Sequence, residues 1–114
     1  MQILVVEDEP LVRCVIVDEL LDAGFNGIEA VTGEEALQHR ASADVLFTDI
    51  RLPGDLTGWN IAERYREAHP NIPVIYATGF THVAPRRVSG SLFFQKPYRD
   101  SKIIEAIREL TTAA

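Results

Sequence analysis

The chain has 114 residues, 46% of them hydrophobic and 25% charged, which fits one domain with a single good core and is too short for two. Its formal net charge of −6 argues against nucleic acid or an anionic membrane as a direct partner, because both reward basic patches. The single cysteine, Cys14, excludes an internal disulfide and a cysteine zinc cluster; lying among Val12, Val15 and Ile16, it is expected to be a buried small hydrophobe. No apolar run reaches the length of a bilayer span and no signal peptide precedes the first strand pattern, so a soluble cytoplasmic protein is the expectation.

Residues 2–6 form an apolar, β-branched run that ends in Glu7-Asp8-Glu9-Pro10. Pro10 suits the first turn of a helix, and the acidic residues before it favour the positive helix N-terminus. A helix is predicted over residues 11–23, with Val12, Val15, Ile16 and Leu20 as its core stripe and Gly24 as its stop. Residues 25–31 read as a weaker strand with Ile28 and Val31 inward. Thr32 is the expected N-cap of a second helix, with Glu35 completing a capping box and an end near Arg40.

The next run, Val45–Asp49, is rich in β-formers and leads straight into a carboxylate, with Pro53-Gly54 as a turn signal behind it. A helix is expected over residues 59–68, with Ile61, Ala62 and Tyr65 inward. Pro70 and Pro73 bracket a turn before the buried strand Val74-Ile75-Tyr76-Ala77, which exits at Thr78-Gly79. Residues 80–90 should hold a fourth helix that Pro85 makes short, distorted or mobile. Leu92-Phe93-Phe94 is a fifth short strand ending near Lys96-Pro97. Asp100 or Ser101 caps a last helix with Ile103, Ile104, Ile107 and Leu110 as its apolar stripe.

Strand and helix thus alternate five times with short connections, which demands a parallel sheet covered on both faces and joined by right-handed crossovers. The strand order 2-1-3-4-5 is the economical solution. It makes the first and third strands neighbours at the topological switch point, where ligands bind at the carboxyl ends.

The polar residues that leave those strands then converge. Glu7 and Asp8 follow the first strand, Asp49 ends the third, Thr78 the fourth, and Lys96 follows the fifth. Each has a plain explanation alone: a helix dipole partner, a brace for a turn, a solvated lysine. All five on one edge of the sheet is harder to explain that way, since chance would scatter them between both ends. Three carboxylates at one locus repel unless a cation compensates them. An oxygen-only ligand set suits Mg²⁺.

In these elements the sequence resembles the receiver domain of two-component response regulators, over essentially its whole length. The resemblance rests on Glu7-Asp8, Asp49, Thr78 and Lys96-Pro97. It implies a flavodoxin-like, doubly wound α/β fold with a five-stranded parallel sheet and a single receiver domain over residues 1–114. It implies Asp49 as phospho-acceptor, Asp8 and Asp49 as Mg²⁺ ligands, Glu7 acting on the metal through water, and the backbone carbonyl of Arg51 completing the protein ligands. Thr78 and Lys96 would contact the phosphoryl oxygens, and Thr78 with Phe93 would form the switch. The implied donor is a histidine kinase or a histidine phosphotransfer protein, and the implied output a downstream protein bound through the face of the fourth strand, fourth helix and fifth strand. No enzymatic activity is implied beyond Mg²⁺-dependent self-phosphorylation and autodephosphorylation. Phosphoryl transfer is mostly positioning and charge neutralisation, so one divalent cation and one ammonium around a carboxylate are sensible parts.

Two departures from the family pattern are visible. Gly58 falls nine residues after Asp49 where the family has eight, so the loop is one residue longer. Tyr76-Ala77-Thr78-Gly79-Phe80 looks like the signature of a subfamily of often stand-alone receivers linked to bacterial general stress signalling. Phe93 lacks a tyrosine hydroxyl, and with Phe94 beside it plain core packing rivals a switch role. His39, His69 and His82 are dispersed and read as surface or helix-end residues. Two other functions stay open: a docking module with a vestigial acidic site, and an enzyme of flavodoxin topology. A stand-alone regulator and a receiver cut from a longer protein are equally compatible with the sequence.

Overall fold

In a computed structural model of the protein, the described residues are 1–79 and 86–112. The elements run β1 (Gln2–Val6), α1 (Pro10–Asp22), β2 (Asn26–Ala30), α2 (Gly33–Leu37), β3 (Val45–Asp49), α3 (Gly58–Ala68), β4 (Val74–Thr78), β5 (Leu92–Gln95) and α4 (Asp100–Thr111). The strands form one parallel sheet in the order β2-β1-β3-β4-β5. This is the flavodoxin-like, doubly wound architecture expected from the alternation of the elements.

Strand periodicity splits the core in two. Leu4, Val6, Leu46, Val74 and Tyr76 point toward α2 and α3, where they meet Ile61, Ala62 and Tyr65. Ile3, Val5, Val45, Phe47, Ile75 and Ala77 point to the other face and meet Ile16, Leu20, Ile103 and Ile107 of α1 and α4. Each large aliphatic side chain so buried contributes roughly 1.5–3 kcal/mol. The same alternation sends Phe93 into the α2–α3 core and its neighbour Phe94 into the opposite one.

The register carries these strands to a common edge. Val6 pairs with Thr48, and Asp49 with Ala77. Thr78 pairs with Gln95. Glu7, Asp49, Thr78 and Lys96 therefore lie within two steps of one another along the carboxyl rim.

Local signals explain most element ends. Pro10 stands in the first turn of α1. The Thr32 hydroxyl accepts from the Glu35 amide at 3.1 Å and starts α2. Thr57 and Asn60 form a full capping box on α3, which begins at Gly58, one residue before the predicted start. α2 stops at Leu37, short of Arg40, and a run of turns follows it.

The inner face of α1 differs from expectation. Ile16 and Leu20 are buried and Val12 and Val17 half-buried, while Val15 is 50% exposed. At 100° per residue the stripe through 12, 16 and 20 leans toward 17, which turns position 15 outward. Cys14 is likewise exposed, because it lies on the side opposite Ile16. Val31 is half-buried rather than inward.

The expected fourth helix falls partly on residues 80–85, outside the described residues. Residues 86–90 form no helix; the Tyr76 hydroxyl accepts from the Val88 amide at 3.1 Å, and Arg86 pairs with Glu63 of α3 at 2.8 Å. Among the described residues, no helix is long and apolar enough to cross a membrane.

Candidate functional site

Glu7 is the first residue past β1. Its amide donates to the Ala30 carbonyl at 3.0 Å, extending the sheet ladder by one rung. Its side chain is buried, with Oε1 accepting from Lys96 Nζ at 2.5 Å and Oε2 from the Glu9 amide at 3.3 Å. Asp8, half-exposed, stands on the rim beside it.

Asp49 closes β3. One carboxylate oxygen, Oδ1, accepts from the Ile50 amide at 2.7 Å, which is the plain turn-bracing role that a strand-end aspartate often has. The other, Oδ2, accepts from Lys96 Nζ at 2.9 Å. A brace alone does not require that ammonium, nor the company that Asp49 keeps. Glu7, Asp8 and Asp49 each offer an oxygen, and these oxygens lie within 4.8 Å of one another.

Lys96 reaches the cluster because its amide donates to the Thr78 carbonyl at 2.8 Å, prolonging the β4–β5 ladder. Burial alone would lower the pKa of its ammonium, but hydrogen bonds to Glu7 and Asp49 outweigh that, and the net shift is upward. Burial pushes the Glu7 carboxyl up from its ordinary 4.5; the Lys96 hydrogen bond partly reverses this, and the charge of Asp49 adds to it. The site thus holds one ammonium against three carboxylates. That imbalance, with oxygen as the only donor, fits a hard divalent cation.

The rest of the expected set is placed by its strands and loops. Thr78 is fully buried at the end of β4, one step past the residue paired with Asp49. Arg51, two residues beyond Asp49, is exposed at the head of the β3–α3 loop. Phe93 pairs with Tyr76 and packs half-buried in the α2–α3 core. Gly58 backs Asp49: its amide donates to the Ile50 carbonyl at 2.8 Å, and a Cβ there would collide with the Asp49 carbonyl oxygen. Ahead of it in the loop, Gly54 adopts φ +92° and Leu56 packs against Gly33.

Residues 3–108 match the family described as the response regulator receiver domain. The chain belongs to that family. This receiver is similar to the transcriptional activator protein IrlR of Burkholderia pseudomallei, with 31% identity over 117 residues, 96% of this chain and 50% of that protein. The receiver spans half or less of the curated relatives that match it first; a cyclic di-GMP phosphodiesterase of Thermotoga maritima is covered over only 27% of its length. A response regulator receiver protein from Sinorhizobium medicae superposes with a TM-score of 0.92 at 31% identity, covering 99% of this chain and 95% of that one. The response regulator TrrA of Thermotoga maritima, solved in complex with Mg²⁺-BeF, superposes with a TM-score of 0.86 at 28% identity over 96% and 97% of the two chains.

Two further residues lie around this receiver site. Tyr98 packs edge-on against Phe47 with ring centroids 5.8 Å apart, and burial raises its phenol pKa. Arg13 donates from Nη1 to the Glu7 carbonyl at 2.8 Å. The only signal for Arg13 was its place one turn after Glu9, which the helix turns back under the β1–α1 loop.

Proposed function

We propose that Asp49 accepts a phosphoryl group from a histidine kinase or a histidine phosphotransfer protein, and that the modification controls binding of a downstream protein. The observation that carries this reading is the half-buried Lys96 ammonium bridging Glu7 and Asp49, with Asp8 completing the carboxylate cluster. An Asp49 oxygen attacks phosphorus, the phosphorus–nitrogen bond of the donor phosphohistidine breaks, and the imidazole leaves with the bonding pair.

Lys96 then exchanges its bond to the bare carboxylate for one to a phosphoryl oxygen, and the Thr78 hydroxyl donates to another. Mg²⁺, held by Asp8, Asp49, the Arg51 carbonyl and, through water, Glu7, would neutralise charge on the transferred group. Such preorganised neutralisation is the main catalytic device in phosphoryl transfer. Thr78 and Phe93 lie on β4 and β5, so engagement of Thr78 is transmitted to the face these strands form, and we place the output there.

The donor is proposed to dock beside α1. Leu11 is 82% exposed one turn from the acidic loop, and with Val12, Val15, Pro97 and Tyr98 it lines an apolar groove of about 540 Å³. The net charge of −6 supports a protein partner over nucleic acid.

Incubation with acetyl phosphate and Mg²⁺, followed by intact mass measurement, tests the central step. A gain of one phosphoryl group, lost in Asp49→Asn, is expected. No gain in the parent would leave the phosphorylation-independent docking module as the better reading.

A second expectation concerns the metal. Asp8→Ala should abolish Mg²⁺ binding measured by calorimetry, yet leave the fold intact. Relief of carboxylate repulsion should stabilise the metal-free protein by about 1 kcal/mol in urea melts with chelator. Undiminished Mg²⁺ affinity would remove Asp8 from the ligand set.

A further inference from the structure

Besides Lys96, Arg13 brings a positive charge to the β1–α1 loop. Its side chain is 17% exposed and bifurcates. Nη1 donates to the Glu7 carbonyl at 2.8 Å, and Nε donates to Glu29 Oε1 on the neighbouring β2 at 3.0 Å. The Arg13 amide also donates to the Glu9 carbonyl at 3.0 Å. Glu7, whose amide is already tied to Ala30, is thus held at both ends of its backbone.

We propose that Arg13 is a positioning residue for the cation site: by fixing the Glu7 carbonyl it sets the plane of the Glu7–Asp8 peptide, and with it the direction in which Asp8 presents its carboxylate. The inference rests on the reading of Asp8 as a metal ligand. Two effects of Arg13 on a bound cation oppose one another. Its positive charge beside the carboxylates repels Mg²⁺, so deletion through that effect alone would tighten binding. Its clamp on the loop preorganises a ligand, so deletion through that effect weakens binding. The ion pair with Glu29 offsets much of the charge, and the guanidinium bond to a backbone carbonyl is of the stronger, charge-assisted kind. Positioning therefore wins. Partners that orient metal ligands typically govern affinity by 10–100-fold.

The fork is also specific to arginine. A lysine offers one ammonium at the end of a flexible stem and cannot hold the Glu7 carbonyl and Glu29 in the same planar geometry. Arg13→Lys keeps the charge and loses much of the positioning.

Mg²⁺ titration calorimetry on the parent, Arg13→Met, Arg13→Lys and Glu29→Gln tests this, with thermal melts in chelator to establish that each variant is folded at the titration temperature. Arg13→Met should raise the Mg²⁺ Kd by about tenfold, and Arg13→Lys should raise it by a smaller factor in the same direction. The extent of phosphorylation by acetyl phosphate should be retained at saturating Mg²⁺, with only its half-saturating Mg²⁺ concentration increased. A role confined to fold stability would lower the melting temperature and leave Kd in place. An unchanged or tighter Kd in the Arg13 variants of a Mg²⁺-binding parent overturns the inference and spares the site. Absence of Mg²⁺ binding by the parent overturns both. If Arg13→Met does not fold, Arg13→Lys and Glu29→Gln decide the question on the same criterion.

Discussion

Lys96→Met is expected to destabilise the metal-free protein at pH 7 by about 2–3 kcal/mol, and to make its stability depend steeply on pH. Removing one partner of a buried ion pair costs about 3–5 kcal/mol, because the other charge is left without compensation. Here the figure is discounted because the Lys96 side chain is 21% exposed and the site opens to solvent. What remains in the variant is two carboxylates, Glu7 and Asp49, both well shielded from water and facing each other. Methionine preserves most of the stem volume, so the loss reads charge rather than packing.

The pH dependence has a definite sign. In the parent, the raised Lys96 pKa gives stability that is fully present below its ordinary 10.5 and is lost only as pH rises through the higher folded value. Between pH 5 and 8 that contribution is constant. The raised Glu7 pKa acts oppositely to a salt-bridged carboxylate: the folded state binds a proton more readily than the unfolded one, so stability rises as pH falls through the folded value toward 4.5. Without Lys96 the upward push on Glu7 grows and the window widens toward neutrality. The difference between variant and parent should therefore shrink from pH 7 to pH 5. Mg²⁺ should rescue the variant more than it helps the parent, since a divalent cation replaces the missing ammonium. Urea melts at the two pH values, with and without Mg²⁺, give the answer; a pH-independent difference below about 0.5 kcal/mol would mean that the ammonium is not what compensates the cluster.

The parts of this site that could be read from sequence are those fixed by strand exits. Glu7, Asp49, Thr78 and Lys96 each follow an apolar run, and parallel pairing leaves such exits on one edge. Their convergence needs only the strand order, which the alternation of elements dictates. The phase of α1 was not readable in the same way. Leu11, Val12, Val15, Ile16, Val17, Leu20 and Leu21 surround almost the whole helix, so the periodicity admits several inner faces, and contact with β2 and α4 selects the one through Ile16 and Leu20. Val15 and Cys14 fall outside because of that selection. The early end of α2 at Leu37 has no glycine or proline to announce it. Arg13 needed a different kind of knowledge. A long side chain reaching back under a preceding loop depends on the crossover geometry, which its place one turn after Glu9 does not by itself encode.

Gly58→Ala is expected to cost about 3 kcal/mol of stability and to slow phosphorylation by acetyl phosphate at least about tenfold. Two effects compete at this position. Alanine is the better helix former by about 1 kcal/mol, and Gly58 opens α3 without a positive φ, so local conformation favours the substitution. The space does not. A Cβ at Gly58 would collide with the Asp49 carbonyl oxygen and stand 2.9 Å from Ile50 Cα, and neither is the free end of a flexible side chain. Room can be made only by moving α3 away from β3, which strains the Gly58 amide bond to the Ile50 carbonyl, or by moving Asp49 itself. Asp49 cannot shift without disturbing its bonds to Ile50 and Lys96. Collision outweighs propensity, and the damage lands on Asp49. Gly54→Ala provides the contrast. It is strained by φ +92° and meets the end of the flexible Glu34 side chain, so it should lose about 1 kcal/mol and leave Asp49 in place. Thermal melts and the rate of mass gain with acetyl phosphate should separate the two: stability falls in both, and the rate falls in Gly58→Ala. An unchanged rate in a destabilised Gly58→Ala would mean that the strain dissipates into α3, and that the glycine behind Asp49 serves packing alone.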